Sequence, residues 1–300
     1  MVASKDSNAS GVRVRSIEIY QVDAFTDRQF AGNPAGVALA ADSLDDATML
    51  AIARELNNAD TAFVCDADGT DHDLRVRFFT PRTEAGFVGH ATLAVHTVLA
   101  ARDGPRTLRQ KGRTGVVEVR PCSSGGHEIR LPRAPLGRRV EGSELEDVCD
   151  ALGTTVDQLD PRCPPQIVGS GSTRLLLGLS TGVTLADLAP DSARLTALSA
   201  WIGAAGYFLF SLQPTVPDCE VESRMFCPAL GIAEDPVSGN AHGMLAVYLE
   251  SRGLMRGATL RGAQGHHLGR PGKVEVELLD TGGVALRGEA RIVFQTTIQL

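Results

Sequence analysis

Arg77-Phe78-Phe79-Thr80-Pro81 returns as Arg224-Met225-Phe226-Cys227-Pro228, and each copy leads into a helix expected to begin at a glycine. In the first, Gly89-His90-Ala91-Thr92-Leu93-Ala94-Val95 opens the helix; in the second, Gly239-Asn240-Ala241-His242-Gly243-Met244-Leu245 stands at the same place after a slightly longer loop. Self-similarity of this kind marks a unit used twice. Each unit starts with a strand, since Leu74 to Phe78 and Cys219 to Phe226 alternate as half-buried strands do. Residues 89–101 and 239–252 are apolar almost continuously, the pattern of a helix buried on most sides.

Outward from this module, strands are expected at Arg15 to Val22, Ala35 to Ala40, Thr61 to Cys65, Gly115 to Arg120, Glu128 to Leu131, Leu175 to Leu179, Tyr207 to Leu212, Lys273 to Leu279 and Arg291 to Thr297. Helices are expected at Asp45 to Leu56, Ser143 to Ala151 and Ser192 to Ile202. Many short strands with two buried helices predict an α+β protein of two pseudo-symmetric halves, each a sheet wrapped around its own central helix. The halves fall at 12–133 and 134–300, Pro132 to Gly137 reads as the link, and the last strand is free to return to the N-terminal half.

Composition narrows the function classes. Hydrophobic residues make up 43% of the 300-residue chain and charged residues 22%, the range of globular enzymes. With a net charge of -7 and basic residues scattered singly, no stripe exists to displace counterions from a nucleic acid. No stretch approaches the ~20 apolar residues needed to span a bilayer, and Met1 to Ser10 is polar, so a cytoplasmic protein without membrane contact is expected. Six cysteines lie far apart with no Cys-x-x-Cys pair, which reads as reduced thiols and no metal site.

A helix that begins at a glycine leaves backbone N–H groups unpaired and aims its positive dipole end at whatever lies in front. Two such ends, at Gly89 and Gly239, facing each other across the seam of a duplicated fold, would grip a substrate carboxylate. Taken singly, His90 and Asn240 equally suit the role of helix caps. The preceding loops are dense in polar groups: Glu84 and His90 in the first, and Glu234, Asp235, Ser238 and Asn240 in the second. Asp235 before Pro236 also suits a turn. Asp60, between a helix and the apolar strand that follows, sits where burial raises a carboxyl pKa and fits it for general acid-base work; it also suits a cap or turn.

Gln21-Val22-Asp23-Ala24-Phe25-Thr26, Gly32-Asn33-Pro34-Ala35-Gly36-Val37, Gly89-His90-Ala91-Thr92, Glu234 to Ala241 and Gln264 to Pro271 together resemble the PhzF-like proteins of phenazine biosynthesis, from about Ile17 to near the C-terminus. The resemblance implies a diaminopimelate epimerase-like fold, a cleft site between the halves, a homodimer, and isomerase chemistry without metal or organic cofactor. It places the proton-moving acid at Asp60 and further site positions at Gly89, His90, Asp235, Gly239 and Asn240. Three departures stand out. Asp60 replaces the family's usual Glu, and Asn240 stands where Ser is common. Val88 and Gly239 lie where related epimerases carry paired cysteines, so a two-thiol racemisation is unsupported.

The expected protein is thus a cofactor-free isomerase moving a proton in a small, cyclic carboxylate substrate, with antibiotic pathways a natural setting. In it Asp60 shifts the proton, His90 and Asp235 orient substrate and stabilise charge, and Gly89, Gly239, Asn240 and Ser238 bind. An epimerase or lyase using the same cleft, or a non-catalytic binding protein of this fold, are the competing expectations.

Overall fold

The computed structural model describes residues 16–300; Arg15, where the first strand was expected to start, and Met1 to Ser10 lie outside the described residues. In the first half, Ser16–Ala24 pairs antiparallel with Asn33–Ala38, which runs parallel to Asp60–Asp66. Leu74–Phe79 follows antiparallel, Leu108–Gly112 parallel, then Gly115–Pro121 and His127–Pro132 antiparallel. The second half repeats these relations in the same order through Gln166–Val168, Arg174–Leu179, Tyr207–Ser211, Val221–Cys227, Thr259–Gln264, Gly272–Leu278 and Gly283–Gly288. His127–Pro132 pairs with Gly283–Gly288, so the two sheets join edge to edge.

The chain crosses back to the first half at its C-terminal end. Leu136–Arg139 pairs with Gln166–Val168, and the C-terminal strand Ala290–Gln299 pairs with Ser16–Ala24 of the first half. Leu136 to Gly137, expected as a link, is therefore part of a strand; all four residues of Leu136–Arg139 are exposed, so no apolar alternation betrays it. The four-residue strand Ile232–Asp235 and the strand Thr259–Gln264, whose buried positions include Gly262, Ala263 and Gln264 rather than a row of large apolar side chains, also escaped sequence reading.

Five α-helices occur among the described residues: α1 (Asp46–Leu56), α2 (Gly89–Asp103), α3 (Gly142–Leu152), α4 (Ser192–Ile202) and α5 (Gly239–Ser251). α2 and α5 are the buried central helices, with Leu93, Ala94 and Val95 of one and Leu245, Ala246 and Tyr248 of the other closed off from solvent. α1 covers the outer face of the first sheet, where Met49 and Ile52 meet Ile19 and Phe63. α3 and α4 cover the second sheet, and strand Arg174–Leu179 answers that double cover with an unbroken buried run: Leu175, Leu177 and Leu179 face α3 and α4 while Leu176 faces the inner core. No described helix is long and apolar enough to cross a membrane.

Duplication reaches the side chains. Arg77 grips Glu84 through Nε and Nη2 at 2.8 and 3.0 Å, and Arg224 grips Glu234 through the same atoms at 2.9 and 2.8 Å. Each guanidinium lies over a ring two residues on, Arg77 over Phe79 at 5.1 Å and Arg224 over Phe226 at 4.9 Å. Strand registers then fix the counterparts. Thr61 faces Phe79 as Tyr207 faces Phe226, so Asp60 corresponds to Gly206; Gly36 faces Thr61 as Leu175 faces Tyr207, so Ala35 corresponds to Arg174. Ala85 faces Phe78 as Asp235 faces Met225, which carries the match on to Val88 with Ser238, Gly89 with Gly239 and His90 with Asn240.

Candidate active site at the seam of the halves

The two glycine helix starts abut. A methyl group added at Gly89 would lie 3.4 Å from Asn240 Oδ1 and 3.5 Å from Leu286 Cδ2, and one at Gly239 would strike the same Leu286 carbon at 2.6 Å and Phe25 Cζ at 2.5 Å. Only glycine fits at 239. Val88 precedes α2 and gives it no side-chain cap, while Ser238 caps α5 by accepting from Ala241 N–H at 3.4 Å. His90 and Asn240 are the second residues of their helices, so neither is a cap. The uncapped, buried start of α2 leaves amide donors facing the seam.

Asp60 opens the strand beside Asn33–Ala38 and is 7% exposed. Its Oδ2 lies 3.8 Å from His90 Nε2, a ring nitrogen that is buried and makes no hydrogen bond. Burial, reinforced by the charge of Asp235, pushes the Asp60 carboxyl up to about 8. Burial drives His90 down to about 3, so its imidazole is neutral. Asp235 is likewise 7% exposed, and burial raises it to about 6 against the lowering effects of the Asn33 hydrogen bond and the Arg174 charge. Two neighbouring carboxyls are thereby split: near neutral pH Asp60 holds its proton and Asp235 gives its proton up. The shorter side chain at position 60 still places its carboxyl among the other site groups.

Two residues outside the expected set hold this arrangement. Asn33 reaches across the seam, its Nδ2 donating to Asp235 Oδ1 at 2.7 Å and to Val237 O at 2.8 Å, while its own buried Oδ1 has no partner. Gln264 clamps the loop before α5, donating to Asp235 O at 2.6 Å and accepting from Ser238 N–H at 3.0 Å. Both belong to motifs that carried the family resemblance, Gly32-Asn33-Pro34 and the closing Gln264 to Pro271, but a buried amide bridging residues some 200 positions apart leaves no periodic signal. Arg270 of the same closing motif ties the halves by donating to Gly32 O at 3.0 Å and pairing with Asp23 at 2.5 Å.

A cleft of about 410 Å³ opens at the seam, lined by Asn33, Ala59, Glu234 and Pro236; its lining includes none of the expected site residues, of which Asp60 and Asp235 are the chain neighbours of Ala59 and of Glu234 and Pro236. A second, of about 460 Å³, lies beyond Phe25 and includes none of the expected site residues. Its Arg287 is taken up by Glu128, Glu275 and Glu277 and its Arg261 by Glu220, so those two guanidiniums are already occupied. Among the described residues no cluster of three or more His, Cys, Asp or Glu side chains is arranged to hold a metal ion, and the six cysteines are free thiols.

The PhzC-PhzF family model, described as phenazine biosynthesis-like protein, matches residues 22–296. An uncharacterized isomerase of Clostridium acetobutylicum is 35% identical, covering 96% of this chain and 99% of its own length. The uncharacterized isomerase YddE of Escherichia coli (strain K12) is 38% identical over 92% of this chain and 96% of its own. Among solved structures, the PhzF-family phenazine biosynthesis protein of Bacillus anthracis superposes with a TM-score of 0.85 at 24% identity, covering 95% of this chain and all of that one, and shares the fold.

Proposed function

Because the chain belongs to the phenazine biosynthesis-like (PhzC-PhzF) family, whose relatives above are named isomerases, we propose that it is a cofactor-independent isomerase using Asp60 to move one proton along an unsaturated ring acid. The observation that carries this reading is Asp60 itself, a carboxyl raised to about 8 beside a neutral, unpartnered His90 and within the electrostatic reach of Asp235. A carboxylate with so high a pKa is a strong base once ionised and a ready proton donor afterwards. The substrate's carboxylate is held by the backbone N–H groups at Gly89 and Gly239, with the Asn240 amide beside them, while Ser238 shapes the start of α5. In its ionised form Asp60 takes a proton from one carbon; that bond's electron pair forms a new double bond, and the old double bond's pair collects, at the far allylic carbon, a proton from the Asp60 carboxyl, which exchanges with solvent. Composition is unchanged and no oxidant is needed. The negative charge that spreads over the substrate is stabilised by the N–H donors of the helix starts and the Asn240 amide, while Asn33 holds Asp235 in place.

The counterpart of Asp60 in the second half supports one acid rather than two. Gly206 stands there, and a side chain at that position would meet Cys227 Sγ at 2.4 Å and Arg174 Cδ at 3.1 Å. With no second base at the matching place, return of the proton from the face it left is favoured over inversion through opposed bases. Incubation with unsaturated cyclic acids in heavy water tests this by mass spectrometry and NMR. Label at a new carbon with a moved double bond is the expected result; exchange at the original carbon with inverted configuration would overturn it.

A further inference from the structure

Arg174 begins its strand at the place matched by Ala35 in the first half, and its stem fills the space over Gly206 where the counterpart of Asp60 would otherwise project. It is 7% exposed. A guanidinium carries five N–H donors in a planar fork. At Arg174 only Nη1 is occupied, donating to Ser172 Oγ and Thr173 O at 2.9 Å each. Nε is buried without a partner, and Nη2 makes no hydrogen bond among the described residues. No carboxylate of the described residues lies within 4.0 Å of its nitrogens.

The edge left open is the one its relatives use. Arg77 and Arg224 each bind a glutamate two-pronged through Nε and Nη2. Other arginines with an unpartnered buried Nε are satisfied elsewhere: Arg133 through both terminal nitrogens on Glu250, and Arg252 through Gln166 and the Tyr248 ring. Arg75 has Asp42 and Asp68 within 4 Å. Arg174 alone of these combines burial, an empty fork and no acid. By strand alternation its side chain shares the face of Leu176, the inner face packed against α5, and its charge lowers the Asp235 pKa.

We propose that Arg174 binds a second acidic group of the substrate, so that the ring acid turned over here is a dicarboxylate: one carboxylate at the abutting helix starts, the other on the Nε and Nη2 edge of Arg174. The inference rests on the carboxylate site proposed above. Two-pronged contact between a guanidinium and a carboxylate is strong and depends on the fork, which lysine lacks.

Benzoate and its three ring dicarboxylates (phthalate, isophthalate and terephthalate) are suitable probes, with affinities read by calorimetry on wild type, Arg174→Gln and Arg174→Lys. In wild type at least one dicarboxylate binds about ten- to a hundred-fold tighter than benzoate. Arg174→Gln erases that preference while changing benzoate affinity less than about two-fold, and Arg174→Lys recovers only part of it. In parallel, the Arg174 Nε–H resonance of the wild type shifts with the preferred dicarboxylate and not with benzoate, a readout that needs no variant to fold. If benzoate binds but no dicarboxylate binds better, or if Arg174→Gln weakens both acids equally, the role given to Arg174 is wrong while the helix-start site stands. If no acid binds the wild type, the carboxylate site itself is wrong and this inference falls with it.

Discussion

Replacing Asp60 with Asn is expected to lower solvent-deuterium incorporation into substrate by about 10²- to 10⁴-fold and, at the same time, to raise the melting temperature. The two effects share one cause. Burial holds the folded-state pKa of Asp60 at about 8, far above its value of 3.8 in an unfolded chain. Such a group favours the fold fully only below pH 3.8, and that contribution is lost as pH rises through the folded value. At pH 7 the folded chain must keep Asp60 protonated while the unfolded chain ionises it freely, and asparagine has no such penalty. A gain on the order of 5 °C at pH 7, shrinking toward nothing near pH 4, is the expected pattern in calorimetric scans of both proteins. A variant that loses turnover and melts lower at every pH would show Asp60 to be a structural residue.

Arg224→Ala is expected to be the more damaging of two matched substitutions, costing about 3–5 kcal/mol against roughly 1–2 kcal/mol for Arg77→Ala. The pairs look alike, but Arg224 and Glu234 are 10% and 13% exposed, whereas Arg77 and Glu84 are 23% and 25% exposed. Removing Arg224 leaves Glu234 as a nearly buried charge without its counter-ion. It also strips donors from Leu185 O at 2.7 Å and Leu188 O at 3.3 Å. Glu84 keeps more water, and the other partner of Arg77 is the exposed Asp46. Because Glu234 and Asp235 share a short strand, loss of Arg224 also loosens Asp235, so turnover should fall with stability. Urea unfolding of both variants checks the ranking; equal losses would mean that burial of the second pair contributes nothing.

What the amino-acid sequence revealed about the fold followed the strength of its local patterns. The two central helices were legible because Gly89 to Val95 and Gly239 to Leu245 are apolar on nearly every side, which only a buried helix tolerates. The paired arginine motifs were legible as a repeat, and the structure gives each arginine the same glutamate and the same ring. Leu136 and Gly137 read as part of a link because the strand they open, Leu136–Arg139, is exposed throughout and carries no alternation.

The candidate site was legible in outline for a different reason. Asp60, His90 and Asp235 are polar residues in otherwise apolar or helix-starting surroundings, and the structure brings them to one seam. Asn33 and Gln264 were missed as site residues because their roles come from contacts across the seam and across the chain, to Asp235, Val237 and Ser238. Arg174 was missed because a lone arginine before Leu175-Leu176-Leu177 reads as the polar end of a strand. Its empty fork is visible only once the registers identify Gly206 as the partner of Asp60.

The protonation state of Asp60 tests the central claim most directly. Carbon-13 labelling of the aspartate carboxyls, with Asp60→Asn used to assign the resonance, allows its titration to be followed by NMR. A midpoint near 8, with Asp60 still protonated at pH 7, is the predicted result; a midpoint near 4, as for a carboxylate open to water, would contradict it.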